Sequence, residues 1–114
     1  MVLPDGITRY FQRGESVPVW GWNEVDDAFA DPSEGMTLTL QKPDGTPALA
    51  YDGVTPITDL ALTKDETGKF VYKFHTTVTD ATGTYKGWLT AQDGTGESAW
   101  ITITPVDFTI ESRN

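Results

Sequence analysis

The chain has 114 residues, which suits a single domain, and a domain of this size buries about two-thirds of its unfolded surface. Seventeen acidic residues against eight basic ones give a formal net charge of −9, which repels nucleic acid and anionic lipid and excludes both as main partners. Because the chain contains no cysteine, it forms neither disulfides nor thiolate metal sites.

The N-terminal sequence bears on where the protein is found. Residues 1–14 lack the apolar core of a secretion signal, and no stretch is long and apolar enough to span a membrane. We therefore expect no signal peptide and no membrane contact, with the chain staying in the cytoplasm where it is made.

Eleven glycines, seven prolines and many threonines favour strands joined by tight turns over helices. Residues 8–12 predict a first strand and residues 16–23 a second. In the second strand small residues alternate with Pro18 and two tryptophans, Trp20 and Trp22, so the tryptophans are expected to face away from the core. Proline cannot donate a ladder hydrogen bond, which indicates an edge or a bulge at Pro18.

The middle of the chain opens with a long acidic connection, residues 24–35, which holds five carboxylates and no basic residue. Residues 36–41 then alternate cleanly and predict a strand that ends at the Pro-Asp-Gly turn signal of residues 43–45. Residues 47–56 form a weaker segment around Leu49 and Tyr51, and residues 58–63 predict a further strand. The inward residues of the strand at 36–41 are Met36, Leu38 and Leu40.

Two strongly alternating segments follow, residues 69–76 and residues 83–91. After a hairpin loop at residues 92–96, residues 97–104 and residues 107–111 predict the last two strands. The side chains expected to face inward are Phe70, Tyr72, Phe74, Tyr85, Leu89, Ala91, Ala99, Ile101 and Ile103, with Gly87 in the same phase.

The register of the last hairpin depends on its loop. If the hairpin is symmetric about Gly94, Trp88 lies directly opposite Trp100, an aromatic cross-strand pair that stabilises a sheet. A two-residue turn at Asp93 and Gly94 shifts the pairing by one residue, and the sequence leaves both registers open.

The pattern as a whole predicts the fold class. About seven to nine short strands, with turn signals roughly every 8–12 residues and no helix, are typical of an all-β sandwich. The sequence shows no internal repeat and no linker, so residues 1–114 are expected to form one domain with an ordered core over residues 7–111.

Residues 80–87, DATGTYKG, resemble the tyrosine-corner region of immunoglobulin-like domains, with Tyr85 as the tyrosine and Gly87 where such domains often have cysteine. The order GESVPVW, TLTLQKPDGTP, GKFVYKF, TGTYKGWLTAQDGTGESA and DFTI resembles small immunoglobulin-like proteins encoded among the structural genes of tailed bacteriophages, over residues 8–111. The resemblance implies an immunoglobulin-like antiparallel β-sandwich located in the virion. It implies a capsid decoration or auxiliary head protein that binds the major capsid protein, or alternatively a head–tail connector or tail-associated module.

The four tryptophans are the candidate partner-binding residues: Trp20, Trp22, Trp88 and Trp100. All are expected on outer sheet faces, where large apolar groups need a partner, and interface cores favour tryptophan. The opposing interpretation is that the fold covers these rings itself. A carbohydrate-binding module is the alternative of another class, with Asn23 and Gln92 as the polar neighbours of the rings.

Other candidate sites are weaker. Asp26, Asp27, Asp31 and Glu34 could ligate Ca²⁺, but their spacing matches no calcium loop, and a solvated loop is favoured. His75 is the only histidine, so a triad or a zinc site is not expected. The loop DGTGES lacks the lysine and helix of a phosphate loop. The sequence therefore predicts a non-enzymatic protein without catalytic residues, metal or cofactor, and it leaves homo-oligomerisation open.

Overall fold

The computed structural model describes residues 10–77 and 80–112. These residues form strands, turns and one short 3₁₀ turn at Gly96–Ser98, which confirms the prediction of an all-β chain. Within this part of the chain no helix has the length and apolarity needed to cross a membrane. The strands are β1 (Tyr10–Gln12), β2 (Ser16–Trp22), β3 (Glu24–Val25), β4 (Ala28–Phe29), β5 (Met36–Gln41), β6 (Leu60–Ala61), β7 (Thr63–Glu66), β8 (Lys69–His75), β9 (Gly83–Asp93) and β10 (Trp100–Glu111).

The described strands form three sheets. The largest has the order β1-β10-β9-β5-β6, the second has the order β2-β8-β7, and β3 pairs with β4. All pairs are antiparallel except β1 with β10, which run parallel through residues 10–12 and residues 109–111. Residues 7–9, at the start of the predicted ordered core, lie outside the described residues.

The two larger sheets share one hydrophobic core. The ring of Phe74 from β8 lies 5.8 Å from Tyr85 of β9 and 6.0 Å from Phe108 of β10, measured between centroids, so aromatic packing joins the sheets. The predicted inward residues of β2, β5, β8 and β9 are buried, except that Tyr72 of β8 and Gly87 of β9 are half-buried. Each fully buried Leu, Val or Phe side chain contributes about 1.5–3 kcal/mol relative to an exposed one.

Tyr85 is buried in this core and makes a local hydrogen bond. Its hydroxyl donates to the carbonyl of Ala81 over 2.8 Å, which ties the start of β9 to the segment before it. Burial, with a further contribution from the charge of Asp80, raises the pKa of Tyr85 to about 12, so the hydroxyl stays protonated as a donor at neutral pH.

The segment between β5 and β7 differs from the prediction. The strand expected at residues 58–63 is divided between sheets, because β6 pairs with β5 whereas β7 pairs with β8. Leu62 lies at the crossing point, buried, with its N–H donating to the Met36 carbonyl over 3.0 Å. Upstream, Ala48 and Ile57 are fully buried, while Tyr51 is exposed, so the core residues of this segment were missed.

The acidic connection also contains a hairpin that was not predicted. Strands β3 and β4 are joined by Asp26 and Asp27, whose φ angles are +52° and +66°. Positive φ at both central residues is the signature of a type I′ turn, which matches the twist of two antiparallel strands. The sequence signal was weak because both strands are two residues long and the turn lacks glycine.

The register predicted for the last hairpin is wrong. Trp88 lies opposite Pro105, and Trp100 lies opposite Asp93, so neither open alternative holds. The strands predicted at residues 97–104 and 107–111 form one continuous strand, and Ile101 and Ile103 are exposed instead of inward. The cause is the connection, which runs from residue 94 to residue 99 and contains the 3₁₀ turn. Compared with a hairpin symmetric about Gly94, the partner of Trp100 moves from Trp88 to Asp93, and this odd shift of five residues turns Ile101 and Ile103 to the other face.

Candidate functional site

An apolar groove lies between the edge of β2 and the edge of β10, with a volume of about 350 Å³. Each of these strands belongs to a different sheet, and the groove is the opening between the two layers. Its floor includes Met36 and Leu89, one wall includes Trp20 and Trp22, and the other includes Thr102 and Thr104. A volume in this range, about 300–1,000 Å³, accommodates a small ligand or several apolar side chains.

Gly21 shapes the floor of the groove. A Cβ atom at this position would lie 2.2 Å from the sulfur of Met36, so the glycine lets the Met36 side chain reach beneath β2. Because the residues at the floor are buried and apolar, the groove is suited to apolar groups and carries no cluster of polar groups for catalysis.

The strand β10 is paired with β9 from Trp100 to Ile110 and with β1 only from Thr109 to Glu111. The N–H of Arg13, just after β1, donates to the carbonyl of Glu111 over 3.0 Å, which shows that Glu111 directs its backbone groups toward the β1 side. The register of β10 with β9 is continuous from Trp100 to Ile110, so the backbone groups of successive residues alternate between the two sides of the strand without interruption. Odd-numbered residues of β10 therefore direct their backbone N–H and C=O groups away from β9.

Residues 100–105 of β10, called the free edge below, have no strand paired on that side within residues 10–77 and 80–112. The free edge offers the N–H and C=O groups of Ile101 and Ile103 and the C=O of Pro105. Pro105 fits this phase, because proline is tolerated in a sheet where its nitrogen faces no neighbouring strand.

The free edge is apolar and uncharged. Trp100, Ile101 and Ile103 expose 76%, 55% and 63% of their surface. No ionisable residue lies between Glu97 and Asp107 in the sequence. An edge strand that is long, apolar and free of charge is a template for pairing with another chain, which natural proteins usually prevent with charges or bulges.

The structure confirms that none of the four candidate tryptophans belongs to the buried core. Trp22, Trp88 and Trp100 are exposed, and Trp20 is half-buried. They do not form one patch, however. Trp20 and Trp22 belong to the three-stranded sheet and line the groove, and Trp88 lies on the outer face of the five-stranded sheet. Trp100 begins the free edge opposite Asp93, on the same face as Leu89 and Ala91, so its predicted place on an outer face is wrong although its ring is exposed. The sequence analysis missed Ile101 and Ile103, because the predicted phase placed them inside.

The acidic connection has an internal structural role through Asp31. Its carboxylate accepts hydrogen bonds from the Lys64 ammonium at 2.5 Å and the Gly68 N–H at 2.7 Å. Both hydrogen bonds lower the pKa of Asp31, and the one from Lys64 has the larger effect. Among the described residues no group of three or more His, Asp or Glu side chains is placed to hold a metal ion.

His75 lies on an exposed end of β8, opposite Ser16 of β2. Its Nδ1 is 3.0 Å from the Ser16 hydroxyl, and its other neighbour is the Tyr51 ring, at 4.8 Å between centroids. Nucleophilic catalysis by serine needs a histidine that a third polar group orients. Here an aromatic ring takes that place, so the geometry is that of a surface cross-strand pair.

Comparison with protein-family models, with curated proteins and with solved structures gives no match for this chain.

Proposed function

We propose that the chain is a non-enzymatic interaction module with an immunoglobulin-like β-sandwich fold, and that it serves as a virion structural protein. Within that class the proposal is a capsid decoration or auxiliary head protein that attaches to the capsid lattice. The observation that carries the interaction role is the free edge, where Trp100, Ile101 and Ile103 are exposed on a strand without charge.

Two features support the immunoglobulin-like part of the proposal. The order β2-β8-β7 corresponds to the B-E-D arrangement of such domains, and β10-β9-β5 corresponds to G-F-C. In addition, the Tyr85 hydroxyl donates to a backbone carbonyl a few residues upstream, as the tyrosine of a tyrosine corner does. Gly87 occupies the position often held by cysteine, and a Cβ there would lie 1.9 Å from the Thr39 carbonyl oxygen, so this site favours glycine.

The charge distribution supports attachment through the free edge. A net charge of −9 keeps the separate chains apart in solution, whereas the uncharged edge can desolvate at low cost when a partner covers it. The resemblance over residues 8–111 favours a partner in a phage capsid. A head–tail connector or tail-associated module would use the same surface with another virion protein, and remains the alternative.

A carbohydrate-binding module receives less support. Sugar recognition needs polar groups beside the exposed rings, and the two amides near the tryptophans are Asn23 and Gln92. The Asn23 amide donates to the Ala30 carbonyl over 2.8 Å, and the Gln92 amide donates to the Gly94 carbonyl over 3.0 Å. Both amides thus hold the local backbone, which favours a protein partner over a sugar.

The test is cosedimentation of the full chain with shells assembled from the major capsid protein encoded with it. We expect saturable binding that Ile103→Lys abolishes, because a charge would then be buried at the contact. Val54→Lys is the matched control, since Val54 is an aliphatic residue on a separate loop with 78% of its surface exposed. Binding that Ile103→Lys leaves unchanged, or saturable glycan binding that quenches tryptophan fluorescence, would contradict the proposal.

A further inference from the structure

We infer that residues 1–9, which precede the described part of the chain, extend β1 along the free edge and cover the apolar groove until a partner displaces them. Three features support this pairing: the direction of β1, the phase of its backbone groups and the alternation of side chains in residues 1–9. The displacement step rests on the proposed function, whereas the pairing does not depend on it.

The direction of β1 leads residues 1–9 toward the free edge. Strands β1 and β10 run parallel, with Tyr10 opposite Thr109. The residues before Tyr10 therefore continue beside the residues of β10 that come before Thr109. At about 3.3 Å per residue, nine residues reach about 30 Å, which is the length of β10 from residue 100 to residue 108. Residues 1–9 are thus long enough to cover the whole free edge.

The backbone groups of the two strands are in phase for this pairing. The Arg13 N–H donates to the Glu111 carbonyl over 3.0 Å, so odd-numbered residues on the β1 side direct their backbone groups toward β10. If the register continues, the Leu3 N–H faces the Ile101 carbonyl, and the Leu3 carbonyl faces the Ile103 N–H. The free edge thus offers Leu3 the groups that odd-numbered residues of β10 direct away from β9.

The prolines of the two strands agree with this phase. Pro4 is an even-numbered residue, so its nitrogen is directed away from β10, where a strand tolerates proline. In the same register the Pro105 carbonyl faces the N–H of Ile7. If the phase were reversed, Pro4 would face β10 and leave a carbonyl of the free edge without a donor.

The side chains of the segment alternate in a way that suits the groove. Phe11 is buried with its ring 6.1 Å from that of Phe108, measured between centroids, so odd-numbered residues of β1 face the core. Leu3 and Ile7 have the same phase and would lie on the groove side, over its apolar floor. Arg9 shares this phase, and its long stem allows the guanidinium to reach solvent. Burial of the two aliphatic side chains therefore favours the pairing.

The middle of the pairing is weak. Asp5 also has the groove-side phase, and burial of a carboxylate against an apolar surface is costly. The Asp5 carbonyl faces Pro105, which has no N–H to donate. Residues 1–9 are therefore held poorly at their centre, so a partner segment without these defects can displace them by strand addition.

The covalent connection to β1 favours residues 1–9 over a second copy of the chain as the occupant. The segment is continuous with β1, so its effective concentration at the free edge is on the order of millimolar or higher, whereas a second copy must bind from solution. Each copy also carries a net charge of −9, while the segment has one acidic and one basic side chain. Residues 1–9 thus cover the edge without adding net side-chain charge.

Cross-linking tests the register in the full chain, which has no cysteine of its own. Val2 would lie opposite Ile101, and neighbouring strands are about 4.8 Å apart, so Val2→Cys/Ile101→Cys should close an intramolecular disulfide on mild oxidation. In the control Val2→Cys/Pro105→Cys the second cysteine is displaced by about 13 Å along the strand, and closure should be about tenfold slower. Non-reducing electrophoresis and thiol titration measure both rates. Equal rates, or a disulfide-linked dimer as the main product of the first variant, overturn the inference.

Proline variants of the segment test the backbone contact. Leu3→Pro removes an N–H that faces β10, whereas Val2→Pro, the matched control, changes a nitrogen that faces away. Hydrogen exchange at the Ile103 amide should be about tenfold faster in Leu3→Pro than in the wild type, and within about twofold of the wild type in Val2→Pro. Circular dichroism checks that both variants fold. Equal acceleration in both variants, or none in either, overturns the inference, and protection of Ile103 that is lost on dilution assigns the edge to a second copy.

The disulfide also tests displacement, because it locks the segment on the edge. Oxidised Val2→Cys/Ile101→Cys should bind capsid shells about tenfold more weakly than the same variant after reduction, since the partner can no longer displace residues 1–9. Equal binding of the two forms overturns the displacement step. Rapid cross-linking without capsid binding in either form supports the pairing and contradicts only the virion role. Conversely, capsid binding by a variant that cross-links no faster than the control contradicts only the inference.

Discussion

Trp88 of β9 lies directly opposite Pro105 of β10, and this pairing determines what the outer surface of the hairpin presents. Because Pro105 directs its backbone groups away from β9, the two residues form a pair without mutual hydrogen bonds, in which Cα atoms approach to about 4.5 Å. The same frame places Ile101 and Ile103 on the face of Trp88 and leaves their backbone groups on the free edge. The surface proposed for partner binding thus follows from one register.

The register is testable by cross-linking, since the chain has no cysteine of its own. The double variant Trp88→Cys/Pro105→Cys should form an intramolecular disulfide on mild oxidation, because the Cα separation of such a pair lies near the lower end of disulfide geometry, about 4.4–6.8 Å. Trp88→Cys/Trp100→Cys is the matched control. Its cysteines would be about 16 Å apart along the strand and should stay reduced. Free-thiol titration and mass spectrometry give the result, and cross-linking of the control pair alone would contradict the register.

Tyr85 provides a test of the core in alkaline solution. Its folded pKa, about 12, lies above the unfolded value of 10.0. The folded state binds this proton more tightly, so the stability that it contributes is complete below pH 10 and is lost as the pH rises toward 12. Between pH 10 and pH 12, Tyr85→Phe should lose less stability than the wild type. At neutral pH the variant should be about 0.5–1.5 kcal/mol less stable than the wild type, because the hydrogen bond to the Ala81 carbonyl is absent.

Urea unfolding at neutral and alkaline pH measures both effects. Tyr51→Phe is the control, because Tyr51 is exposed and its hydroxyl is not part of the core. Parallel loss of stability in wild type and Tyr85→Phe between pH 10 and 12 would show that another group governs the alkaline transition.

Gly87 and Gly21 allow a comparison between a glycine packed against rigid backbone and one packed against a flexible side chain. A Cβ at Gly87 would lie 1.9 Å from the backbone oxygen of Thr39, whereas a Cβ at Gly21 would lie 2.2 Å from the side-chain sulfur of Met36. A strand backbone held by its ladder cannot move aside, but a methionine can change rotamer. We therefore expect Gly87→Ala to cost at least about 3 kcal/mol and Gly21→Ala about 1 kcal/mol. Denaturant unfolding measures the difference, and an equal or reversed order would contradict this view of the packing.

The strands that could be predicted from the sequence are those whose large apolar residues recur at every second position. The bounds of β5 were predicted as observed, and those of β8 within one residue, because Leu38 and Leu40 alternate with threonines and the aromatic residues of β8 recur at every second position. Alternation gives a strand its two faces but does not say which face is inward when both carry apolar residues. Trp100, Ile101 and Ile103 are such a case, and the loop before them decides the phase.

Other features depend on long-range contacts that no local pattern reports. Ala48 and Ile57 are buried because backbone hydrogen bonds hold their segments beside Leu40. The Ala48 N–H donates to the Leu40 carbonyl over 2.9 Å, and the Leu40 N–H donates to the Ile57 carbonyl over 2.9 Å. The switch of the chain between sheets at Leu62 is likewise a tertiary event. For the site, exposure of the tryptophans was predictable, but the groove was not, since it requires the relative placement of β2 and β10.

Asp31 makes the stability of the chain depend on pH at the acidic end. Its folded pKa is lowered from 3.8 by the Lys64 and Gly68 hydrogen bonds, so its contribution is complete above pH 3.8 and is lost as the pH falls through the lowered folded value. Asp31→Asn should therefore be less stable than the wild type at pH 7, and the difference should shrink below pH 3.8. Asp65→Asn, at an exposed carboxylate of β7, is the control. A difference between Asp31→Asn and wild type that stays constant with pH would contradict this role for the ion pair.

The uncharged edge strand should also make the protein aggregate in acid. The sequence pI is about 4.3, so near this pH the repulsion that separates the chains disappears while the free edge is unchanged. We expect light scattering from a concentrated solution to rise near pH 4.3, through pairing of exposed edges. Ile103→Lys should suppress the rise, because it places a charge on the edge itself. Val54→Lys changes the net charge by the same amount at an exposed loop and should aggregate like the wild type after a small shift in pH. Equal suppression by both variants would mean that net charge, and not the edge, controls association.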